Sequence, residues 1–265
     1  MPRITHCPVA LTIAGSDSGG GAGIQADLKT FAAFGVHGAC AVTCLTAQNP
    51  RRVLAVEPTT AKMLRQQIEA VFQEWSPAAV KTGMLLSAEN VQAVANYLKS
   101  QRRPPLVVDP VMVSTSGARL LAPAALKVLK EQLLPLAILV TPNLHETEIL
   151  TGGKITSVEK MRAAACEIHA RFGCAALVKG GHLQGMREAV DVFCDGRTEL
   201  LLTAPFIKGV RTHGTGCTYS AAITAALARG HDLPRAVGLA KNYVTRAIAG
   251  SYRVGKHFAL NQLFH

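Results

Sequence analysis

Short apolar runs alternate with longer stretches of helical periodicity along the whole chain. Eight runs rich in valine, isoleucine, leucine and alanine predict β-strands, at residues 9–14, 39–45, 78–81, 106–109, 137–141, 175–179, 189–193 and 199–202. Eight amphipathic stretches predict helices, at residues 24–34, 60–74, 88–102, 124–134, 144–150, 158–172, 218–228 and 234–250. The middle strands are apolar at successive positions, which is typical of parallel strands that helices cover on both faces.

This order of elements predicts an α/β fold, a doubly wound and mostly parallel sheet flanked by helices on both faces, with right-handed crossovers. The strands within residues 40–56 and 189–202 have shorter connections, which predicts edge strands or hairpins there. No internal repeat, low-complexity segment or long linker divides the chain, so we expect one domain over residues 1–265. Ligands of such sheets bind beyond the carboxyl ends of the strands, so motifs that follow strands are the candidates for chemistry.

The composition indicates a compact protein with anionic partners. Hydrophobic residues make up 49% of the chain, charged residues 17%, and the net charge is +11. Lysine and arginine are scattered and aromatic residues are few, so we expect phosphorylated metabolites and no nucleic-acid partner. Seven cysteines without a CxxC spacing argue against disulfides and a structural zinc site. No apolar run is long enough to cross a bilayer, and a cytoplasmic protein is expected.

A glycine-rich segment joins the first predicted strand to the first predicted helix. Residues 14–23 read AGSDSGGGAG, and glycines allow backbone geometry and close ligand approach that side chains would block. Residues 21–26 fit a loose dinucleotide fingerprint, but no acidic residue lies about 20 positions on to hold a ribose. A tight strand-to-helix turn explains the segment at least as well. The chain contains no GxxxxGK[ST] motif, which excludes a P-loop enzyme.

A second glycine motif, THGTGCT at residues 212–218, precedes a small, apolar predicted helix. Gly214 and Gly216 at a helix start leave backbone N–H groups to converge on an anion, near the positive end of the helix dipole. The same field is expected to lower the pKa of the Cys217 thiol in the first turn. A glycine turn with a packed cysteine is an equally good interpretation of this motif alone.

Three further predicted strands end on polar residues. Asn143 and Glu146 have the spacing of a capping box, so a structural cap is favoured over an amide and a carboxylate that face magnesium-bound phosphates. Asp109 ends a buried strand, where a carboxylate needs a cation or donor nearby. Lys179 ends another strand and precedes two glycines, which suits a phosphate contact. Asp109 and Lys179 are also explained as charges that emerge at the rim of the sheet.

Together and in this order, the motifs resemble the ribokinase-like superfamily, and more closely the hydroxymethylpyrimidine/phosphomethylpyrimidine kinases of thiamine biosynthesis. The resemblance covers nearly the whole chain and is strongest at residues 11–31, 46–49, 81–85, 109–112, 141–146, 178–182 and 213–218. Its most discriminating part is Gly-Thr-Gly-Cys at 214–217. Most of the superfamily carries Asp in the last position, whereas the pyrimidine kinases and a related group of pyridoxal kinases carry Cys. Residues 18–20 depart from the family pattern, which has a proline-containing stretch there.

Carried over position by position, the resemblance implies a nucleotide-phosphate site of Gly214, Thr215, Gly216, Lys179, Asn143 and Asp109. It implies that Cys217 accepts the proton of the substrate hydroxyl, and that Glu146 and Asn143 hold magnesium, partly through water. It further implies a substrate pocket of Gln48, Gly15, Asp17, Met84 and Val111. The Gln48 amide would read the pyrimidine edge, because it offers both a donor and an acceptor.

The function implied by this resemblance is transfer of phosphate from ATP, with Mg²⁺, to 4-amino-5-hydroxymethyl-2-methylpyrimidine, and then to its monophosphate. A pyridoxal kinase of the same fold, or dual activity, is the alternative. A non-catalytic nucleotide-binding protein is disfavoured, because a binder does not need a base such as Cys217. A nicotinamide dehydrogenase is weaker still without the ribose acid. Dimers are usual among the proteins that the chain resembles, so a homodimer is one expected state.

Overall fold

The computed structural model describes residues 6–100, 104–113, 120–181, 183, 185–207, 210 and 213–264. Nine strands of the described chain belong to one sheet: β1 (Val9–Asp17), β2 (His37–Asn49), β3 (Arg52–Pro58), β4 (Ala79–Thr82), β5 (Leu106–Val108), β6 (Leu139–Val140), β7 (Ala175–Lys179), β8 (Glu188–Cys194) and β9 (Glu199–Pro205). Their spatial order is β3-β2-β1-β4-β5-β6-β7-β8-β9. The six central strands, from β2 to β7 in this order, are parallel to one another. The outer strands β3, β8 and β9 pair antiparallel. The predicted doubly wound, mostly parallel sheet is confirmed.

Helices cover both faces of this sheet. On one face lie α1 (Gly23–Ala33), α7 (Thr215–Ala228) and α8 (Leu233–Ala249). On the other lie α2 (Ala61–Glu74), α3 (Ala88–Lys99), α4 (Pro123–Val128), α5 (Leu144–Thr151) and α6 (Val158–Phe172). The sheet contributes side chains to a core on each of its faces, because successive side chains of a strand point to opposite faces. In β5, for example, Leu106 and Val108 join one core cluster and Val107 joins the other.

Helix α7 is buried along most of its length. Every residue from Thr218 to Ala228 is buried, and the helix contacts α1, α8, β1 and β4. Its alanine-rich sequence allows this close packing, because alanine occupies little volume and loses no side-chain entropy. The surrounding elements therefore fix the position of the helix that carries the Gly-Thr-Gly-Cys motif at its start.

The antiparallel hairpins β2–β3 and β8–β9 confirm the prediction made from the short connections. Other boundaries differ from those predicted. The predicted helix 124–134 is α4 followed by a π-helical turn, Leu129–Leu133, and a 3₁₀ turn, Leu134–Leu136, because Pro135 has no N–H to continue an α-helix. Two strands that the pattern missed, β10 (Tyr252–Val254) and β11 (His257–Ala259), form a small separate hairpin.

The predicted helix 88–102 ends at Lys99 in the structure, and residues 101 and 102 lie outside the described residues. Within the described part of the chain, no helix has the length and apolar character that crossing a bilayer requires.

Candidate active site

The motifs predicted from the sequence meet at the carboxyl ends of the parallel strands. A backbone bridge between Asn143 and Lys179 joins the segment that follows β6 to the last residue of β7. The Ser220 hydroxyl donates to Asp109 Oδ2 at 3.3 Å, which joins α7 to the end of β5. Gly216 is so close to the lysine that a Cβ on it would lie 3.3 Å from Nζ. The candidate site is therefore where the sheet geometry predicts a ligand.

The start of α7 packs against the glycine-rich loop that follows β1. Gly214 is the N-cap, with a φ of 85° in the left-handed region that favours glycine. A Cβ there would collide with the carbonyl oxygen of Gly21, so the two glycine motifs form one structure. Thr218 N donates to Gly214 O at 2.9 Å, and the N–H groups of Gly216 and Cys217 precede this helical ladder. Such a helix start can bind an anion.

Asp17, predicted to line the substrate pocket, holds the glycine-rich loop together. Its carboxylate accepts hydrogen bonds from the backbone N–H groups of Gly19 at 2.8 Å, Gly21 at 3.1 Å and Ala22 at 2.8 Å. Burial works to raise the pKa of Asp17, but the hydrogen bonds from His213 and the backbone outweigh it, and the pKa lies below its ordinary value. The carboxylate is thus ionised, and both of its oxygens bind the loop.

A lysine and two carboxylates lie beside the anion site. Lys179 Nζ is 3.1 Å from Asp109 Oδ1, and little of either side chain is exposed. Burial works to lower the pKa of Lys179, but Asp109 and Glu146 more than offset this and raise it above its ordinary value. The Thr141 and Ser220 hydroxyls each donate to Asp109 at 3.3 Å. Lys179 is therefore a fixed cation with Asp109 as its counter-ion.

Asn143 and Glu146 form a complete capping box at the start of α5, so the structural cap favoured from the sequence is present. Asn143 Oδ1 accepts from Glu146 N at 2.9 Å, and Glu146 Oε2 accepts from Asn143 N at 2.8 Å. Glu146 Oε1 also accepts from Met112 N at 3.4 Å. Burial raises the pKa of Glu146 to about 7, an effect that Lys179 opposes and Asp109 strengthens. A cation bound nearby would keep this carboxylate ionised.

Cys217 lies in the first turn of α7, within electrostatic reach of a buried ion pair. Lys81 Nζ at the end of β4 contacts both carboxylate oxygens of Asp27 in α1 at 2.8 Å, and neither side chain is exposed. Burial raises the pKa of the Cys217 thiol to about 11; Lys81 opposes this shift, whereas Asp27 and Asp109 add to it. The expected lowering of this pKa is therefore wrong. The field of a helix terminus is a local effect, and the packing around α7 outweighs it by removing the thiol from water.

The end of β1, the middle of β2 and the segment after β4 meet at the predicted substrate pocket. A Cβ on Gly15 would lie 2.8 Å from Cys44 Sγ and 3.6 Å from Met84 Sδ, so glycine allows this close approach. The Thr43 hydroxyl donates to the Met84 carbonyl oxygen at 2.7 Å. Gly15 and Met84, both predicted to line the pocket, are thus neighbours.

Gln48 and Asp17 form a second part of the predicted pocket with a residue that the resemblance did not assign. Gln48 Nε2 lies 2.9 Å from His213 Nε2, and the same histidine nitrogen is 3.3 Å from Asp17 Oδ2. Val111, also predicted there, lies beside Asp109, whose carbonyl oxygen accepts from Val111 N at 2.9 Å. Thr212 and His182, which belong to the motifs, lie outside the described residues.

Among the described residues, no group of three histidine, cysteine or acidic side chains is arranged to hold a metal ion. Asp109 and Glu146 are nevertheless both buried, and Lys179 and Asp109 act on the pKa of Glu146 in opposite directions. Mg²⁺ keeps several waters and commonly binds through one or two carboxylates together with substrate phosphates. The donor set therefore fits a magnesium ion that arrives with a nucleotide.

Sequence reasoning gave no role to Lys81, Asp27, Ser220 or His213. A usable signal existed for the first two, because Lys81 ends an otherwise apolar run and Asp27 falls within an amphipathic helix next to apolar positions. Two opposite charges at buried positions predict a pair. The pattern could not show that they are each other's partners, because 54 residues separate them.

The chain is similar to known kinases over most of its length. The family model described as phosphomethylpyrimidine kinase matches residues 17–261. A hydroxymethylpyrimidine/phosphomethylpyrimidine kinase from Rhizobium meliloti (strain 1021) is 51% identical to the chain over 247 residues, which is 93% of the chain and 92% of that protein. The similarity therefore extends over both proteins nearly from end to end.

Two solved structures are similar to the chain as a whole. A crystal structure of phosphomethylpyrimidine kinase from Clostridium difficile 630 has a TM-score of 0.81 and 45% identity, and covers 91% of this chain and 99% of its own. A pyridoxal kinase from Staphylococcus aureus in complex with AMP-PCP and pyridoxal has a TM-score of 0.88 and 33% identity, with 97% and 94% covered. The chain thus shares its fold with a protein named as a phosphomethylpyrimidine kinase and with one named as a pyridoxal kinase.

Proposed function

The chain belongs to the phosphomethylpyrimidine kinase family, and we propose that it phosphorylates 4-amino-5-hydroxymethyl-2-methylpyrimidine with ATP, and then phosphorylates the monophosphate. One observation carries the proposal: the start of α7 brings Gly216 and Cys217 to a fixed lysine, Lys179, at the strand ends. The predicted pocket residues Gln48 and Met84 lie near the end of β2 and just after β4, the two strands that flank β1. This is the arrangement that transfer from a nucleotide to a bound alcohol requires.

Phosphoryl transfer depends mainly on positioning and on neutralising charge. The Lys179 ammonium and the N–H groups of Gly216 and Cys217 would bind the oxygens of the phosphoryl group as it moves. The substrate oxygen forms a bond to phosphorus while the bond from phosphorus to the bridging oxygen of ADP breaks. The Cys217 thiolate takes the hydroxyl proton, and the Lys81 ammonium favours that ionised form. When bound, Mg²⁺ supplies charge neutralisation at the phosphates. Glu146 and Asn143 are the residues predicted to hold it, partly through water, and Asp109 is a second carboxylate of the site.

Pyridoxal phosphorylation is the second candidate activity, because the pyridoxal kinase from Staphylococcus aureus shares the fold at 33% identity. An ADP-release assay should separate the candidates by comparing the hydroxymethylpyrimidine, its monophosphate, pyridoxal, ribose and adenosine at matched concentrations. We expect the highest kcat/KM among the unphosphorylated acceptors with the hydroxymethylpyrimidine, and ADP release with sugars no faster than without an acceptor. A higher kcat/KM with ribose or adenosine would contradict the proposed function.

The capping box makes the role of Glu146 testable by an isosteric change. Glutamine also serves at the third position of a capping box, so Glu146→Gln keeps the bond from Asn143 N. It should lower the melting temperature only slightly, because the bond that it loses, from Met112 N, is long at 3.4 Å. If the carboxylate helps to hold Mg²⁺, the same variant should lose activity and need more Mg²⁺ for half-maximal rate. A titration of kcat against Mg²⁺, beside a melting curve, measures both effects. Unchanged Mg²⁺ dependence would mean that Glu146 only caps α5.

The proposal extends to assembly and location. Leu45 on β2 and Leu54 on β3 are 57% and 59% exposed, and such apolar side chains on an edge hairpin support a homodimer. All seven cysteines lie within the described residues and are free, which supports a reducing cytoplasm.

A further inference from the structure

His213 joins the two halves of the candidate site, although no role follows for it from the reaction described above. It directly precedes the N-cap of α7, and its side chain is 22% exposed. Its Nε2 atom lies 2.9 Å from Gln48 Nε2 at the end of β2 and 3.3 Å from Asp17 Oδ2 at the end of β1. One ring nitrogen therefore contacts both a carboxylate and the amide that is proposed to read the substrate ring.

The ionised Asp17 carboxylate determines whether His213 Nε2 carries a hydrogen. Asp17 stays ionised because hydrogen bonds hold its pKa below the ordinary value, so its oxygens can only accept. A bare lone pair on His213 Nε2 at 3.3 Å would repel them. Nε2 therefore carries a hydrogen, and this single N–H is shared between Asp17 Oδ2 at 3.3 Å and the Gln48 amide at 2.9 Å.

A protonated Nε2 cannot accept a hydrogen bond from the Gln48 amide nitrogen. The two ends of a glutamine amide have nearly the same shape, and the hydrogen-bond network decides which end lies where. The favourable arrangement turns the Gln48 carbonyl oxygen toward His213 Nε2–H. The amide NH₂ group then faces away from the histidine.

We propose that His213 is a positioning residue that orients the Gln48 amide so that its NH₂ group is presented to an acceptor nitrogen of the substrate ring. This inference rests on the proposed function. In 4-amino-5-hydroxymethyl-2-methylpyrimidine the ring nitrogen N3 lies next to the exocyclic amino group and is an acceptor that a fixed NH₂ donor can bind. A glutamine free to turn over would present either end, and would lose that preference.

The same contact links Asp17, and the glycine-rich loop that it binds, to His213. The Asp17 carboxylate accepts hydrogen bonds from three backbone N–H groups of its own loop, and these bonds fix its position beside His213. A Cβ on Gly21 would lie 3.3 Å from His213 Cδ2, so the loop also packs against the imidazole ring. Loop, histidine and glutamine form one connected chain of contacts across three segments.

The test is a double-mutant cycle on binding of 4-amino-5-hydroxymethyl-2-methylpyrimidine alone, measured by titration calorimetry on the full chain. His213→Phe should raise the Kd on the order of tenfold, the size expected when a buried hydrogen bond is lost. His213→Gln, which carries an amide N–H near the Nε2 position, should restore most of the affinity. In a Gln48→Leu background, His213→Phe should change the Kd by less than about twofold, because the residue through which it acts is gone.

His37→Phe is the matched control, because His37 is an exposed histidine at the opposite end of β2 that packs on Trp75. It should leave the Kd unchanged. An equal effect of His213→Phe with and without Gln48 would overturn the inference, and so would an unchanged Kd in His213→Phe. Failure of the wild-type protein to bind the pyrimidine would instead contradict the proposed function.

A variant of Gln48 keeps the test decisive if His213→Phe does not fold. Gln48→Glu preserves an acceptor for His213 Nε2–H and removes the NH₂ donor. The proposed orientation predicts weaker pyrimidine binding in this variant, with a melting curve like that of the wild type. Unchanged affinity in a folded Gln48→Glu protein would show that no amide donor is used.

Discussion

Replacing Cys217 with alanine is expected to lower kcat by about 10²–10⁴-fold while the protein stays folded, because general-base assistance is typically of that size. The thiol lies in the first turn of α7, and alanine keeps the backbone and Cβ there while removing only the sulfur. The measurement is kcat at saturating pyrimidine and ATP, beside a melting curve. Cys217→Asp should recover part of the rate, because a carboxylate does not need a raised pH to ionise.

The pH profile tests the role of the thiol in a second way. Burial raises the pKa of Cys217 to about 11, so the thiol is protonated at neutral pH in the ligand-free protein. If the thiolate accepts the substrate proton, kcat of the wild type should rise with pH, up to about tenfold per unit below that pKa. The Cys217→Asp variant should lack this rise. A flat wild-type profile would mean that the cysteine acts as a neutral thiol.

Cys174→Ala is the matched control for Cys217→Ala. Cys174 is a buried cysteine of the core cluster on the opposite face of the sheet, so its substitution should lower stability and leave kcat near that of the wild type. A folded Cys217→Ala protein with near wild-type kcat would show that this cysteine merely packs, and that proton removal does not limit the reaction.

Replacing Lys81 with methionine is expected to lower the free energy of unfolding by about 3–5 kcal/mol, because it leaves a buried carboxylate without its partner. Asp27 accepts two hydrogen bonds from Lys81 Nζ and one from the Thr12 hydroxyl, at 2.8, 2.8 and 2.6 Å. Thr12, Asp27 and Lys81 are all fully buried, so water cannot replace the lost bonds. Denaturant unfolding of the variant and the wild type measures the difference.

The loss should depend on pH in a defined direction. Burial raises the pKa of Asp27 even with Lys81 in place, and removing the lysine raises it further. The folded variant therefore binds a proton at Asp27 more readily than the unfolded chain does, so its stability rises as the pH falls toward the unfolded pKa. We expect the difference between Lys81→Met and the wild type to be smaller at pH 5 than at pH 8.

The exposed pair of Arg65 and Glu69 provides the control. Its arginine is 66% exposed, and Arg65→Met removes the same kind of charge from an ion pair of similar length, 2.8 Å. The expected loss is below about 1 kcal/mol, because water replaces the partner of an exposed charge. The double variant Lys81→Met with Asp27→Leu should recover much of the loss, since no buried charge remains. Equal losses for Lys81→Met and Arg65→Met would show that burial of the pair does not matter.

The sequence by itself determined the class of fold and the edge of the sheet at which the candidate site lies. Asp109, Thr141 and Lys179 each come at the end of an apolar run, and parallel strands bring such ends to one edge. The order of the motifs also predicted the family, which the comparisons confirm. The capping box at Asn143 and Glu146 could also be predicted from the sequence, because a cap is a local pattern whose partners lie three residues apart.

Only the tertiary structure decided the contacts between residues far apart in the chain. Lys81 meets Asp27 across 54 residues, and Gln48 meets His213 across 165. Periodicity shows which face of a helix or strand is buried, but it does not specify which distant face will lie against it. The raised pKa of Cys217 has the same origin. The local sequence predicts the helix start that favours a thiolate, whereas the burial that opposes it exists only once α7 has packed against α1, α8 and the sheet.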